Sequence, residues 1–283
     1  MREKIDLHCH TNISDGALSP EQIVSRAIGY GLSHLAITDH DTVGAYDRAC
    51  VQAQGSDLTV IPGIEISTTF NSVQIHIVGL FLDTKNQKLL DLIKRQRVQR
   101  EERAALIGHK LEKLGFKDAL LKTQAMAGDN AVITRGNYAR YLFSTGLFAT
   151  QDEAFNKYLK KGGRAYVNTQ WISVEEACSI IVHSGGVAVL AHPKRYTMTN
   201  SKLRLLIEHF KEAGGMALEV SSSQQSPADR DYLASLCERY EMYGSVGSDF
   251  HSEGPWRDLG LNLKLPEKVK PVWTLPQAQA FGF

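Results

Sequence analysis

Near its start the chain reads Asp6-Leu7-His8-Cys9-His10. Side chains of an extended segment alternate between two faces, so His8 and His10 share one face, about 7 Å apart along the strand, with Leu7 and Cys9 on the other. Two imidazoles so placed can clamp one metal ion. More residues of the same chemistry follow: Asp15 before Gly16, His40 in Thr38-Asp39-His40-Asp41, Glu65 between Ile64 and Ile66, His76 in Gln74-Ile75-His76-Ile77, His192 before Pro193, then Asp249 and His251. Taken singly, each has an ordinary reading. A histidine at a strand end is commonly a hydrogen-bonded loop residue, and Glu65 fits the solvated face of an edge strand. Taken together, six histidines and three acids at one place would be an uncompensated polar cluster unless they hold cations. All donors are N or O, without thiolate. That set suits Mn, Zn, Fe or Co and excludes soft-metal and iron–sulfur sites. Nine donors exceed what one tetrahedral ion takes, which implies two or three ions with Glu65 as a bridge. Clustered ions suit hydrolytic phosphoryl transfer: one lowers the pKa of a water, and the others hold the phosphate oxygens and the leaving oxygen.

The residues are positioned by seven short apolar or β-branched runs: 5–10, 34–38, 58–67, 73–82, 187–191, 217–221 and 243–248. Nearly all the candidate ligands stand at or beyond the C-terminal end of such a run, the edge where α/β active sites are built. Helix signals fall between the runs. Ser19-Pro20-Glu21-Gln22 and Ser173-Val174-Glu175-Glu176 carry the N-cap and capping-box pattern, and Gly115 and Gly185 stand where C-caps belong. The alternation predicts an α/β protein with a mostly parallel sheet, open or closed into a barrel.

One stretch departs from this plan. Residues 85–168 contain no strand pattern and read as three helices, 86–114, 134–144 and 152–161. The stretch holds 17 Lys and Arg against 8 Asp and Glu, whereas the remainder holds 15 against 23. We therefore expect two units: an α/β domain over 1–84 and 169–283, and an inserted, basic helical cap over 85–168. The overall formal charge of +1 conceals this division.

Composition is that of an ordinary globular protein, with 43% hydrophobic and 22% charged residues in 283. Four cysteines without a CxxC pair read as reduced thiols, not a disulfide framework. Met1-Arg2-Glu3-Lys4 runs straight into a strand pattern, with no apolar leader and no membrane-length run, so a cytoplasmic protein is expected. No obligate protein partner is indicated.

His8-Cys9-His10, Thr38-Asp39-His40-Asp41, Pro62-Gly63-Ile64-Glu65-Ile66, Ala191-His192-Pro193 and Gly247-Ser248-Asp249-Phe250-His251, in this order, resemble the motifs of the polymerase-and-histidinol-phosphatase (PHP) family of metal-dependent phosphoesterases. Val132-Ile133-Thr134-Arg135-Gly136 and Lys157-Tyr158-Leu159 resemble stretches of its bacterial subgroup of 5′–3′ exoribonucleases and 3′,5′-nucleoside bisphosphate phosphatases. The resemblance implies a distorted (β/α)7 barrel with a helical insertion. It also implies three metal groups: His8, His10, Glu65 and Asp249; Glu65, His76 and His192; and Asp15, His40 and His251. Manganese is the implied metal, with Zn, Fe or Mg as alternatives. Glu65, Asp249 and His192 would carry the catalysis.

Phosphate contacts are expected from Arg135 and Arg195, which stand beside these motifs, and from Lys161 and Arg164; the planar guanidinium fork fits phosphate oxygens. Lys94, Arg95, Arg97, Arg100 and Arg103, interleaved with Glu101 and Glu102, read instead as a solvated helix face. Tyr138, Tyr141, Phe143 and Tyr166 either stack on a base or pack the insertion's core. The expected activity is 5′–3′ digestion of 5′-phosphorylated RNA or short oligonucleotides, with action on nucleoside 3′,5′-bisphosphates. The alternatives are a phosphatase of a small non-nucleotide phosphomonoester and a non-catalytic, metal-stabilised regulatory module.

Overall fold

The computed structural model describes residues 4–223, 225–254 and 257–283; Met1, Arg2 and Glu3 of the N-terminal reading lie outside them. Eight strands form in chain order: β1 Ile5–Cys9, β2 His34–Ile37, β3 Thr59–Phe70, β4 Val73–Leu80, β5 Ile172–Ser173, β6 Val187–Leu190, β7 Ala217–Ser222 and β8 Tyr243–Gly247. Seven of them lie side by side in the order β1-β2-β3-β4-β6-β7-β8, and the two-residue β5 pairs with β3. A bridge between Cys9 and Phe250, with His10 N–H donating to Phe250 C=O, brings the last strand back to the first. The result is a nearly closed, barrel-like sheet of the kind expected.

The sheet departs from parallel at one strand. β4 runs antiparallel to both β3 and β6. This explains why His76 falls early in its strand and not at the end. Antiparallel pairing sets His76 opposite Ser67, at the late end of β3. β1 also departs from simple alternation. Its register with β2 slips between Asp6 and Cys9, so Leu7 packs with the interior cluster and Cys9 with the cluster beneath α1, not on one face.

The interior is apolar at one end and ionisable at the other. Ile5, Leu7, Ala36, Ile61, Val78, Leu80, Val187, Val189, Ala217 and Val246, drawn from all seven strands, form one buried cluster. The C-terminal residues Val272, Leu275 and Ala278 join it. The same inward rows then turn polar. Two-residue steps lead from Ile61 through Gly63 to Glu65, from Val78 back to His76, and from Ala217 to Glu219, all buried or half-buried.

Helices cover the outside: α1 Pro20–Gly29, α2 Tyr46–Ala53, α7 Val174–His183, α8 Asn200–Glu212 and α9 Pro227–Tyr240, numbered with those below in chain order. Ser19 forms the expected reciprocal capping box with Gln22, and Ser173 caps α7 through Glu176 N–H. Between β4 and β5 lie α3 Gln87–Lys113, α4 Ala119–Ala127, α5 Arg135–Ser144 and α6 Gln151–Ala154, the last running into a π-helical turn, Phe155–Leu159. They pack on a cluster of their own that includes Ile107, Leu111, Phe116, Tyr138, Tyr141, Leu142 and Tyr158. Tyr138 and Tyr141 are thus core residues, while Phe143 is exposed. The helix α4, which the sequence pattern did not reveal, starts from Asp118 in the left-handed region at φ 56°.

Candidate metal centre

Glu65, fully buried midway along β3, is the hub of the ionisable end. Its Oε1 lies 2.9 Å from His76 Nδ1, 3.0 Å from His192 Nε2 and 3.3 Å from His8 Nε2. Its Oε2 lies 2.8 Å from His40 Nδ1 and 3.4 Å from His10 Nε2. Asp249 Oδ1 lies 3.0 Å from His10 Nε2 and 3.4 Å from His8 Nε2. Asp15 Oδ1 lies 3.2 Å from His251 Nε2, and its Oδ2 lies 3.7 Å from His40 Nε2. All nine candidate ligands therefore meet in one place.

The donors can be tested for a fit to cations. His8 Nε2 and His10 Nε2 face each other at 3.2 Å. Although His40 Nδ1 and Glu65 Oε2 are close, neither has an aligned hydrogen-bond partner; nor do Asp15 Oδ1, His10 Nδ1 and His192 Nδ1. Buried polar atoms are rarely left this way. Converging lone pairs suit a cation better than one another. Four groups of donors lie close enough to hold an ion: His8, His10 and Asp249; His8, Glu65 and His192; His40, Glu65 and His76; and His10, Asp15, His40 and His251. Glu65 belongs to two of these groups, as a bridging carboxylate would. His76 and His192 fall in different groups, and His10 joins the Asp15 group.

The carboxylates stay ionised. Burial opposes their charge, but His76, His40 and His8 together hold Glu65 well below the usual range. His251 and His40 do the same for Asp15, and Arg195 and His251 for Asp249. Burial works against a charged His251 ring, yet Asp15 and Asp249 raise it to about 9. The backbone is bent to make these approaches. Asp41, His192 and Asp249, each just past a strand end, have φ of 51°, 31° and 50°, a left-handed region that non-glycine residues uncommonly adopt. Gly247 is required by proximity: a Cβ there would lie 2.2 Å from His8 Cβ.

A buried partner absent from the sequence reading orients the first ligand. Glu219 Oε2 accepts from His8 Nδ1 at 2.6 Å, which turns Nε2 toward the cluster. The signal was available, because Glu219 sits between Leu218 and Val220 in a strand just as Glu65 sits between isoleucines.

The cluster floors a cavity of about 790 Å³. Asp15, His40, Glu65, His76, His192, Asp249 and His251 reach it, whereas His8 and His10 lie behind them. Arg195, in the turn after His192, pairs with Asp249. Arg135, at the first turn of α5, lies over the Phe155 ring and donates to Gln74 Oε1 at 3.2 Å. Lys161 and Arg164 do not line this cavity; both are exposed, and the Arg164 guanidinium lies over Tyr158.

The solvated reading of α3 is corrected where it matters most. Arg95 and Arg97 are exposed, but Gln96, Arg100 and Arg103 are buried, and the two arginines line the cavity. Arg100 Nε donates to Asp41 Oδ2 at 2.6 Å, and Gln96 Nε2 donates to Asp41 Oδ1 at 3.1 Å. Residues 89, 92, 96, 100, 103, 107 and 111 form the buried stripe of α3. Its middle is polar because it crosses the ionisable rim and not the apolar core.

Known proteins share this architecture. The PHP domain pattern matches residues 6–223. The chain is 44% identical over 272 residues to the 5′-3′ exoribonuclease Rnm of Escherichia coli, an alignment spanning 95% of this chain and 92% of that protein. It is 37% identical over 270 residues to the 3′,5′-nucleoside bisphosphate phosphatase of Chromobacterium violaceum, spanning 95% of each. An amidohydrolase structure from Chromobacterium violaceum, solved with bound sulfate and no metal, superimposes with a TM-score of 0.93 at 36% identity, covering 98% of this chain and 96% of that one.

Proposed function

The chain belongs to the PHP domain family, and from that premise we propose that it is a 5′–3′ exoribonuclease acting on 5′-phosphorylated RNA and short oligonucleotides. Nucleoside 3′,5′-bisphosphates would be its shortest substrates, a reading favoured by the likeness to a phosphatase of that class. The observation that carries the hydrolytic reading is Glu65, one buried carboxylate with five imidazoles within 3.4 Å of its two oxygens.

We take the ligands to be His8, His10, Asp15, His40, Glu65, His76, His192, Asp249 and His251, and the resident metal to be manganese. Divalent ions bound there would supply an activated water and take up charge on the phosphate oxygens. The protein's own part is positioning. His8 and His10, sealed behind the cluster, anchor it, with His8 fixed by Glu219. Glu65, Asp249 and His192 face the cavity where a phosphorus would lie, with Arg195 beside Asp249 to meet a phosphate oxygen. Residues 85–168 serve as a cap, because Arg100, Arg103, Arg135 and Phe155 close the cavity from the helical side. The basic charge of this stretch would draw an anionic substrate toward the rim. Among the described residues no helix is long and apolar enough to cross a membrane. The unpaired cysteines support a reducing, cytoplasmic setting.

Product analysis tests this reading. Purified protein with Mn²⁺ is given 5′-phosphorylated, 5′-hydroxyl and 3′,5′-bisphosphate substrates of graded length. Stepwise release of nucleotides from the phosphorylated 5′ end, abolished by chelation, is expected. Release of inorganic phosphate from small non-nucleotide esters alone would replace the exonuclease with a simple phosphatase.

A further inference from the structure

The loop after β1, residues 11–16, carries Asp15 to the metal centre and is gripped from two sides. On the barrel side the buried Asp39 accepts from Thr11 N–H at 2.8 Å, Thr11 Oγ1 at 2.6 Å and Ser14 Oγ at 2.6 Å. On the helical side, residues 132–140 engage four successive carbonyls of the same loop. Ile13 C=O accepts from Val132 N–H at 2.8 Å and Ser14 C=O from Asn137 Nδ2 at 3.1 Å. Asp15 C=O accepts from Arg140 Nη2 at 2.6 Å and Gly16 C=O from Arg140 Nη1 at 3.3 Å. Thr134 Oγ1 donates at 2.5 Å to the Asp15 carboxylate itself. The approach is close enough to require Gly136, because a Cβ there would lie 2.7 Å from Asp15 Oδ2.

The sides of α5 divide this work. Tyr138, Tyr141 and Leu142 enter the apolar cluster of the inserted helices, whereas Asn137 and Arg140 turn to the loop. Arg140 is not among the residues that line the cavity. Its planar fork spans two adjacent carbonyls instead. Glu65 stands within β3, whose place is set by strand pairing on both sides. Asp15 stands in a loop, and its place depends on where α5 sits. We propose that Arg140 is a positioning residue for Asp15, and that an ion held by His10, Asp15, His40 and His251 latches α5 onto the barrel. A ligand shifts an equilibrium only through its different affinity for the two states. This donor group is complete only with α5 seated, so the ion favours the seated helix, and the seated helix tightens the ion by the same factor. The proposal rests on the multi-ion reading of the cluster and adds to it a coupling between one ion and one helix.

Two measurements on the full chain test it. Hydrogen–deuterium exchange of the backbone amides is followed in chelator and in saturating Mn²⁺. In wild type, Mn²⁺ should slow exchange over 134–144 on the order of 10-fold more than over 174–183 in α7, a factor usual for coupled sites. The second measurement is a calorimetric Mn²⁺ titration of Arg140→Met, which keeps the unbranched stem and removes both donor arms. The affinity of one ion should fall about 10- to 100-fold, as when a ligand loses its outer support, with the other affinities unchanged. The Mn²⁺-dependent slowing in α5 should vanish in the same variant. Arg140→Lys, which can still donate to one carbonyl, should recover part of the lost affinity. A merely structural role would lower stability without singling out one ion. Equal slowing of α5 and α7 in wild type overturns the latch, and that comparison stands even where Arg140→Met does not fold. In Arg140→Met, unchanged affinity for every ion, or an equal loss for all, overturns the role of Arg140. A wild type that binds no Mn²⁺ overturns the multi-ion reading itself, and the latch with it.

Discussion

On the barrel side of the cavity, Glu65, Asp15 and Asp249 are surrounded by imidazoles and a guanidinium, which keep them charged although burial opposes it. On the helical side, Arg103 and Arg135 face the same space without a carboxylate within ion-pair reach among the described residues, and burial works against their charge. The barrel side is anionic and dense with lone pairs, which is what cations need. The helical side presents three arginines to the cavity, the donors a phosphate needs, alongside Asp152. Under the proposed function, chemistry and choice of substrate fall to different segments of the chain. Among the contacts that join the walls, Asp41, beside the candidate ligand His40, holds Arg100 and Gln96 of α3, and Asp15 accepts from Thr134 at the head of α5.

The comparison breaks most severely at its hub. Glu65→Ala leaves five imidazoles without their shared anion, and we expect a loss of activity on the order of 10³-fold with any substrate. A variant that turns over near the wild-type rate removes Glu65 from the mechanism. Next in size is the Asp41 contact. Asp41→Ala strands Arg100 in a buried site and should cost about 3–5 kcal/mol of stability, read from the midpoint of urea unfolding. No change in that midpoint would show that Arg100 does not need Asp41 in order to stay buried. Glu219→Gln weakens only the support of His8, so metal affinity should fall about 10- to 100-fold, with the fold intact. Equilibrium competition with a metal-binding dye measures this, and unchanged affinity would demote Glu219 to a packing residue. The smallest effect belongs to the exposed pair Arg95–Glu176, whose removal should change stability by about 0.2–1 kcal/mol at most. A larger loss there would mean that exposure is a poor guide to what matters on α3.

The barrel side was largely legible in the sequence. Its candidate ligands are chemically distinctive, and most of them stand at or near strand ends, so strand positions gather most of them. The direction of β4 was not legible, because a short apolar run carries no sign of its polarity in the sheet. On the helical side, charge suggests exposure at Arg100 and Arg103, yet both are buried. Their spacing from Leu89, Leu92, Ile107 and Leu111 puts them on the buried stripe, and the periodicity outranks the residue type. Glu219 was overlooked although it repeats the pattern that exposed Glu65, a carboxylate flanked by apolar strand residues. Lys161 and Arg164, beside Gly162 and Gly163, stand apart from this cavity: both are exposed, and the Arg164 guanidinium lies over Tyr158.

The central claim is that the buried histidines and carboxylates form one multi-ion centre. Elemental analysis of the purified, active protein measures this directly. The geometry predicts at least two divalent ions per chain, lost on chelation together with activity and regained together with Mn²⁺. Full activity with less than one ion per chain contradicts it.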